Sequence, residues 1–344
     1  IRHQVTNLLR ENGKKVVFFQ KASSKNFKSK IEKIDDDFYL VSYYEPLHHQ
    51  LKYIKIFNYF NDLIVSKNIK SILKSFEIEA VVNFNYDYIF LRNIFLDKKI
   101  TTIINDDFIA QAKKYRKKEA KKLLEKTCKL SDCVLGVSYS IVDNLLKYNK
   151  NSQLFLPWAL NKYIKPKDKI TRDVLLFYGY INYRIDWLLI DDILKSNVKI
   201  RFVGPLAKNC QSIVSGYQKK YQNFEYSGQS DIEELYTDDV LVSIIPYKMC
   251  RERMDAITIN NKAFNLLSKG LPLIYPKLKN LIECKSSVIR KCENMSEVLQ
   301  AVEYYKDNFY NIQHDIELFL KKHYADSRYN TLVKCLQKGN NVSK

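Results

Sequence analysis

Short runs of apolar residues, each about a strand long, alternate with stretches of helical period along the whole sequence, and they do so in two series. In the first, Val5, Leu8 and Leu9 fit one helix face that Gly13 stops before the run Val16-Val17-Phe18-Phe19. A strand follows at 38–41, a helical pattern from about Leu51 to Phe76, strands at 80–82 and 102–104, and a basic helix ending near Cys128. Runs at 133–137 and 154–156 close the series. Residues 159–172 carry Pro166, several charges and no periodicity, which reads as an exposed linker. The second series has strands at 174–179, 200–204, 240–245 and 273–274, helices at 185–194 and 260–269, and helical sequence from Met295 to Leu336. Strands separated by helices predict parallel sheets, hence an α/β chain of two Rossmann-like domains facing a cleft where ligands bind. The expected divisions are 1–160, a linker at 161–172, 173–312, and a helical segment at 313–344 that crosses back to the first domain. The opening directly into a helix at Ile1 predicts a strand ahead of it.

Composition narrows the classes. With 344 residues and 46% hydrophobic side chains the chain can bury two cores. Its net charge of +19 favours an anionic partner such as nucleic acid, an acidic membrane surface or a phosphorylated metabolite, although Lys is abundant everywhere, as AT-rich coding would produce. Seven cysteines, an odd number without a CxxC pair, predict reduced thiols and a cytoplasmic setting, with Cys128, Cys133 and Cys250 as buried or plain surface residues. No run reaches the roughly 18 apolar residues of a membrane span, so membrane association is expected to be peripheral.

The sequence lacks GxxxxGK[ST], GxGxxG, HExxH and GxSxG. Of five histidines only His48 and His49 are close, and adjacent side chains diverge, so no metal site is expected. The informative block runs from Ile245-Pro246-Tyr247, through a loop, to a helix starting near Asn260 or Asn261. Its positive dipole end, with Lys262 in the first turn and Asn265 one turn on, would hold an anion and bond a ribose or sugar hydroxyl. The plainer reading is a solvated lysine on an amphipathic helix. Residues 113–122, rich in lysine, would meet anionic lipid headgroups or simply face water. No nucleic-acid-binding motif accompanies the charge.

Three landmarks fall in order: Gly179 to Asp186 (GYINYRID), Phe202-Val203-Gly204-Pro205, and the block with Tyr247, Lys262, Asn265, Gly270 and Pro272. With weaker likeness at Ser131-Asp132-Cys133-Val134 and Leu156-Pro157, they resemble the GT-B glycosyltransferases, specifically the family 4-like branch that builds bacterial capsule, teichuronic-acid and exopolysaccharide sugars. The resemblance implies a UDP- or GDP-linked nucleotide-sugar donor on the second domain and a glycan or polyprenyl-linked acceptor on the first, at the inner membrane face. It implies that Lys262 contacts the diphosphate, Arg184 beyond Gly179 offers a second phosphate contact, Tyr247 and Asn261 border the nucleotide, and Asn265 takes the ribose or phosphate side. No metal or other cofactor is required. Two glutamates of retaining relatives stand here as Ile257 and Asn265, which turns attention to an inverting reaction. Asn105-Asp106-Asp107 resembles the strand end that supplies the base in inverting members, with Asp106 favoured, Asp107 second, and helix capping the plainer role for either. The rivals are a degenerate GT-B scaffold, a nucleotide-sugar epimerase and a polyanion-binding protein.

Overall fold

The computed structural model describes residues 1–20, 28–47, 54–168, 170–248 and 258–337. The chain divides into two units, one of residues 1–156 together with those from Asp326 onward, the other of Pro157–Ala325.

In the first unit the helix Arg2–Glu11 turns Val5 and Leu8 inward and leads to β1 (Val16–Phe19). β2 (Lys30–Asp35) and β3 (Phe38–Ser42) follow; β3 lies parallel to β1, but β2 runs antiparallel to β3. The strands expected here from the sequence are parallel, and β2 adds an antiparallel edge to them. β2 reads KIEKID, lies on the edge and is almost wholly exposed, so no apolar run announces it. The second sheet is parallel and ordered β4 (Ala80–Asn83), β5 (Lys99–Ile104), β6 (Cys133–Gly136), β7 (Ser152–Leu154). A groove of about 940 Å³ lies between β1 and β4, lined by Val16, Val17, Phe19, Ala80 and Val82 with Val5 above. At the start of β6, burial raises the Asp132 carboxyl, but the Ile100 N–H at 2.8 Å and the Arg92 guanidinium at 2.6 Å outweigh it and hold the group below the usual carboxylate range. That motif position is therefore structural.

The helix Ala325–Leu336 returns to this unit, with Leu332 fully buried and the Thr101 hydroxyl donating to the Cys335 carbonyl at 3.1 Å. It brings Cys335 to Cys133, 202 residues away and 5.7 Å apart between Cα atoms, and the two are disulfide-bonded. The reduced-thiol expectation fails for Cys133 because two buried elements set the pair side by side. Cys128 remains a buried thiol, pushed up to about 12 by burial.

Among the described residues the second unit is built on one parallel sheet of six strands: β8 (Val174–Tyr178), β9 (Lys199–Val203), β10 (Phe224–Tyr226), β11 (Val240–Ile244), β12 (Leu273–Tyr275) and β13 (Ile289–Lys291). Their spatial order is β10-β9-β8-β11-β12-β13, so the winding reverses between β8 and β11. β8 is a continuous apolar run and β11 one broken only by Ser243, as strands buried on both faces are, and Val174 to Phe177 and all of β11 are buried. Segment 161–172 is no free tether. The Ile164 N–H donates to the Ser268 carbonyl at 2.7 Å, and buried Arg172 donates to the Thr237 and Val240 carbonyls while lying 4.6 Å over the Phe309 ring. Gly270, at φ 74°, ends the helix Asn261–Ser268 in a left-handed turn, and a Cβ there would collide with Pro166. The helix Gln313–Lys321 also belongs here, stacking Phe319 on Phe264.

Candidate donor site in the second unit

β8 and β9 each run directly into a glycine, Gly179 and Gly204. The Gly179 N–H donates to the Val203 carbonyl at 2.9 Å, and any Cβ on Gly204 would be driven into the Gly179 carbonyl. The two strand ends can lie this close because Gly204 has no side chain. A Cβ on Gly179 would in turn sit 2.8 Å from the Lys262 ammonium, so Lys262 lies directly across the carboxyl end of β8.

Lys262 is delivered there by its helix. Asn260 is the cap, its side-chain oxygen accepting the Ala263 N–H at 2.9 Å, which sets Asn261 and Lys262 in the first turn. The lysine is half-buried and, among the described residues, forms no ion pair; burial alone holds its ammonium below the ordinary lysine range. A cation in that state gains from an incoming anion. One turn on, the Asn265 Oδ1 is buried without a hydrogen-bond partner among the described residues, and so is the hydroxyl of Thr258 just before the cap. Buried orphan acceptors beside a helix start call for a polar ligand. Thr258 carries no motif and escaped sequence reasoning, as did the spacing role of Gly204.

The loop after β8 is stitched to the loop after β11. Ile185 bridges Tyr247, the Asp186 N–H donates to the Pro246 carbonyl at 2.7 Å, and the Lys248 N–H donates to the Arg184 carbonyl at 2.8 Å. This sets exposed Arg184 beside Tyr247, whose phenol is raised by burial and drawn back by the guanidinium. Asp186 caps the helix Trp187–Lys195, its carboxylate accepting the Leu189 N–H. A cavity of about 100 Å³ lies behind Tyr247, against Tyr275 and Cys292. Gly179 and Lys262 are thus in contact, Arg184 and Tyr247 are neighbours, and Asn261 and Asn265 share the lysine's helix. The site stands where the winding reverses, the place where open α/β sheets bind ligands.

No protein-family model matches the sequence. No curated protein matches it either. Among solved structures, the chain is similar to trehalose-6-phosphate synthase OtsA, with a TM-score of 0.68 at 11% identity over 97% of this chain and 93% of that one. It is also similar to WaaG, a glycosyltransferase involved in lipopolysaccharide biosynthesis, with a TM-score of 0.61 at 10% identity over 98% and 95% of the two chains. HepE from Anabaena, solved in complex with UDP and glucose, gives 0.60 at 10% identity over 86% and 85%. The fold is GT-B. At such identities the likeness speaks of fold alone.

On the first unit of this GT-B chain, Asp106 and Asp107 follow β5. The Asp107 carboxylate accepts the Ala110 N–H at 2.8 Å and caps the short helix Phe108–Gln111, which is the plainer role foreseen for one of the pair. The Asp106 carboxylate is exposed and accepts the Asp107 N–H at 2.9 Å. The 940 Å³ groove touches none of the residues singled out for donor or acceptor. His48, His49, Cys250 and Ile257 lie outside the described residues. Among the described residues no three His, Cys, Asp or Glu side chains gather as metal ligands, and no helix is long and apolar enough to cross a membrane.

Proposed function

We propose that this chain is a glycosyltransferase that takes a nucleoside-diphosphate sugar, UDP- or GDP-linked, and transfers its sugar to a surface-polysaccharide or lipid-linked acceptor, as capsule-type enzymes do. The observation that carries this reading is the half-buried Lys262 ammonium, without an ion-pair partner among the described residues, held against Gly179 at the switch point of the β8–β11 sheet. The GT-B fold supports it, and so does HepE, solved with UDP and glucose. In this reading the acceptor hydroxyl attacks the anomeric carbon, Asp106 takes its proton, and the bond to the nucleoside diphosphate breaks with inversion. The leaving diphosphate gains charge, which Lys262, Arg184 and the helix start would offset, so the chemistry needs no divalent cation. Asn265 and Thr258 would bond the ribose, and Tyr247 with Asn261 would border the nucleotide. Isothermal titration with UDP and GDP tests the proposal: binding of either that Lys262→Met weakens supports it, and no binding of any nucleotide overturns it. Turnover of a donor sugar without acceptor would point to an epimerase instead.

A further inference from the structure

The helix Lys55–Leu73 in the first unit is inside out over its first three turns. It buries Asn61, only 1% exposed, whose side-chain oxygen accepts the Leu47 N–H at 3.2 Å and whose amide donates to Glu45 at 3.1 Å. Asn58 is buried too, donating to Asp62 at 3.2 Å. The opposite face shows Ile56 (62% exposed), Phe57, Tyr59 (62%), Phe60 (57%), Leu63 and Ile64 to the outside. Buried polar groups opposite a run of exposed large apolar ones are the informative departure from normal patterning, and an apolar patch of this size marks a binding surface. The second half of the same helix reverts to the usual order: Val65, Ile69 and Ile72 turn inward. There the outer face continues as Lys67, Lys70 and, at the cap, Lys74, all exposed. At 100° per residue these lysines fall in line with Ile56, Phe60 and Leu63. One face therefore offers an apolar run, Ile56 to Ile64 with its three aromatics in one turn, followed by a row of cations.

We infer that this face is an in-plane docking surface for an anionic phospholipid bilayer, with Phe57, Tyr59 and Phe60 entering the headgroup–acyl boundary and the lysines meeting the lipid phosphates. The charge row decides between occupants. A second copy of this chain, itself strongly cationic at +19, would bring like charge against it, whereas an acidic leaflet complements it. Binding to such interfaces grows with the apolar area buried and with the attraction of cations to anionic lipid, and this face supplies both along one stripe. The inference stands apart from the donor site, which lies in the other unit.

Vesicle co-sedimentation of the whole chain tests it, with nucleotide binding followed in parallel. The protein should pellet with phosphatidylglycerol vesicles at least tenfold better than with pure phosphatidylcholine. The exposed-face variant Phe57→Ser/Phe60→Ser/Leu63→Ser should lose that binding with an unchanged UDP response. Lys67→Gln/Lys70→Gln should lose the preference for phosphatidylglycerol. Should the triple variant fold poorly, Phe60→Trp serves instead, since the emission of the introduced indole should shift to the blue on phosphatidylglycerol vesicles. Equal pelleting of wild type and triple variant, or no emission shift in Phe60→Trp relative to the parent chain, overturns the inference. So does a stable dimer that the triple variant converts to monomer while vesicle binding is unchanged. Loss of nucleotide binding with vesicle binding intact would strike the donor reading and leave this one standing.

Discussion

Replacing Lys262 with Met should move ligand affinity and protein stability in opposite directions. Methionine keeps the unbranched stem and about the same bulk but removes the charge. In the ligand-free protein the ammonium is half-buried against Gly179 with no ion pair among the described residues, and burial lowers its pKa. Below the lysine range the charged form therefore weighs against the folded state, and the substitution relieves that cost. With a diphosphate bound the balance reverses. A unit charge at about 4 Å in an effective dielectric near 20 contributes about 4 kcal/mol, and desolvation of the phosphate leaves a net of roughly 1.5–3 kcal/mol for a hydrogen bond to a charged group. At 1.36 kcal/mol per decade, that is a loss of roughly 10- to 150-fold in UDP affinity. Calorimetric titration gives the affinity, and urea unfolding of the same preparations gives the stability. A Met variant that binds UDP as the parent does, yet unfolds at lower urea, would show that Lys262 is a structural residue and refute the reasoning.

Other outcomes follow from neighbouring geometry. Because the Lys262 ammonium is lost at lower pH than that of an ordinary lysine, UDP affinity should be flat near neutrality and fall as pH rises toward the lysine range, while ligand-free stability rises over the same window; Lys262→Arg should flatten the affinity profile. Gly204→Ala should cost about 1–3 kcal/mol in urea unfolding, since its Cβ meets the Gly179 backbone, whereas Gly216→Ala, in the helix Gln211–Lys220 with open space around it, should be neutral or stabilise by about 0.5–1 kcal/mol. Asp107→Ala should lose about 0.5–2 kcal/mol of stability as a missing cap. Asp106→Asn should leave the melt unchanged and lower transfer by roughly 10²–10⁴-fold as a missing base; equal transfer rates in the two would remove Asp106 from that role.

Strands that helices cover on both faces were legible, because burial on both sides demands a continuous apolar run; Val174 to Phe177 could hardly be anything else. β2 was not, since an exposed edge tolerates KIEKID, and the three-residue strands β10 and β13 are too short to carry a period. Lys262 could be read from a helix start after Pro246, whereas Thr258 became visible only when folding left its hydroxyl buried without a partner among the described residues. The division of roles between Asp106 and Asp107 was open because either can follow a strand and precede a helix; the Ala110 N–H decided which one caps. The inside-out start of the helix Lys55–Leu73 has apolar residues at helical spacing, and spacing alone does not say which side faces inward.

The return of the helix Ala325–Leu336 to the first unit makes that unit discontinuous along the chain, with the whole of the second unit threaded between β7 and its closing helix. During synthesis the second unit can fold as soon as it emerges from the ribosome. The first must wait, holding open the seat beside Thr101 and Cys133 until some 170 later residues have been made. A fragment cut ahead of Asp326 would leave that seat unfilled, so the unit translated first is the one that truncation at the far side of the chain would unsettle.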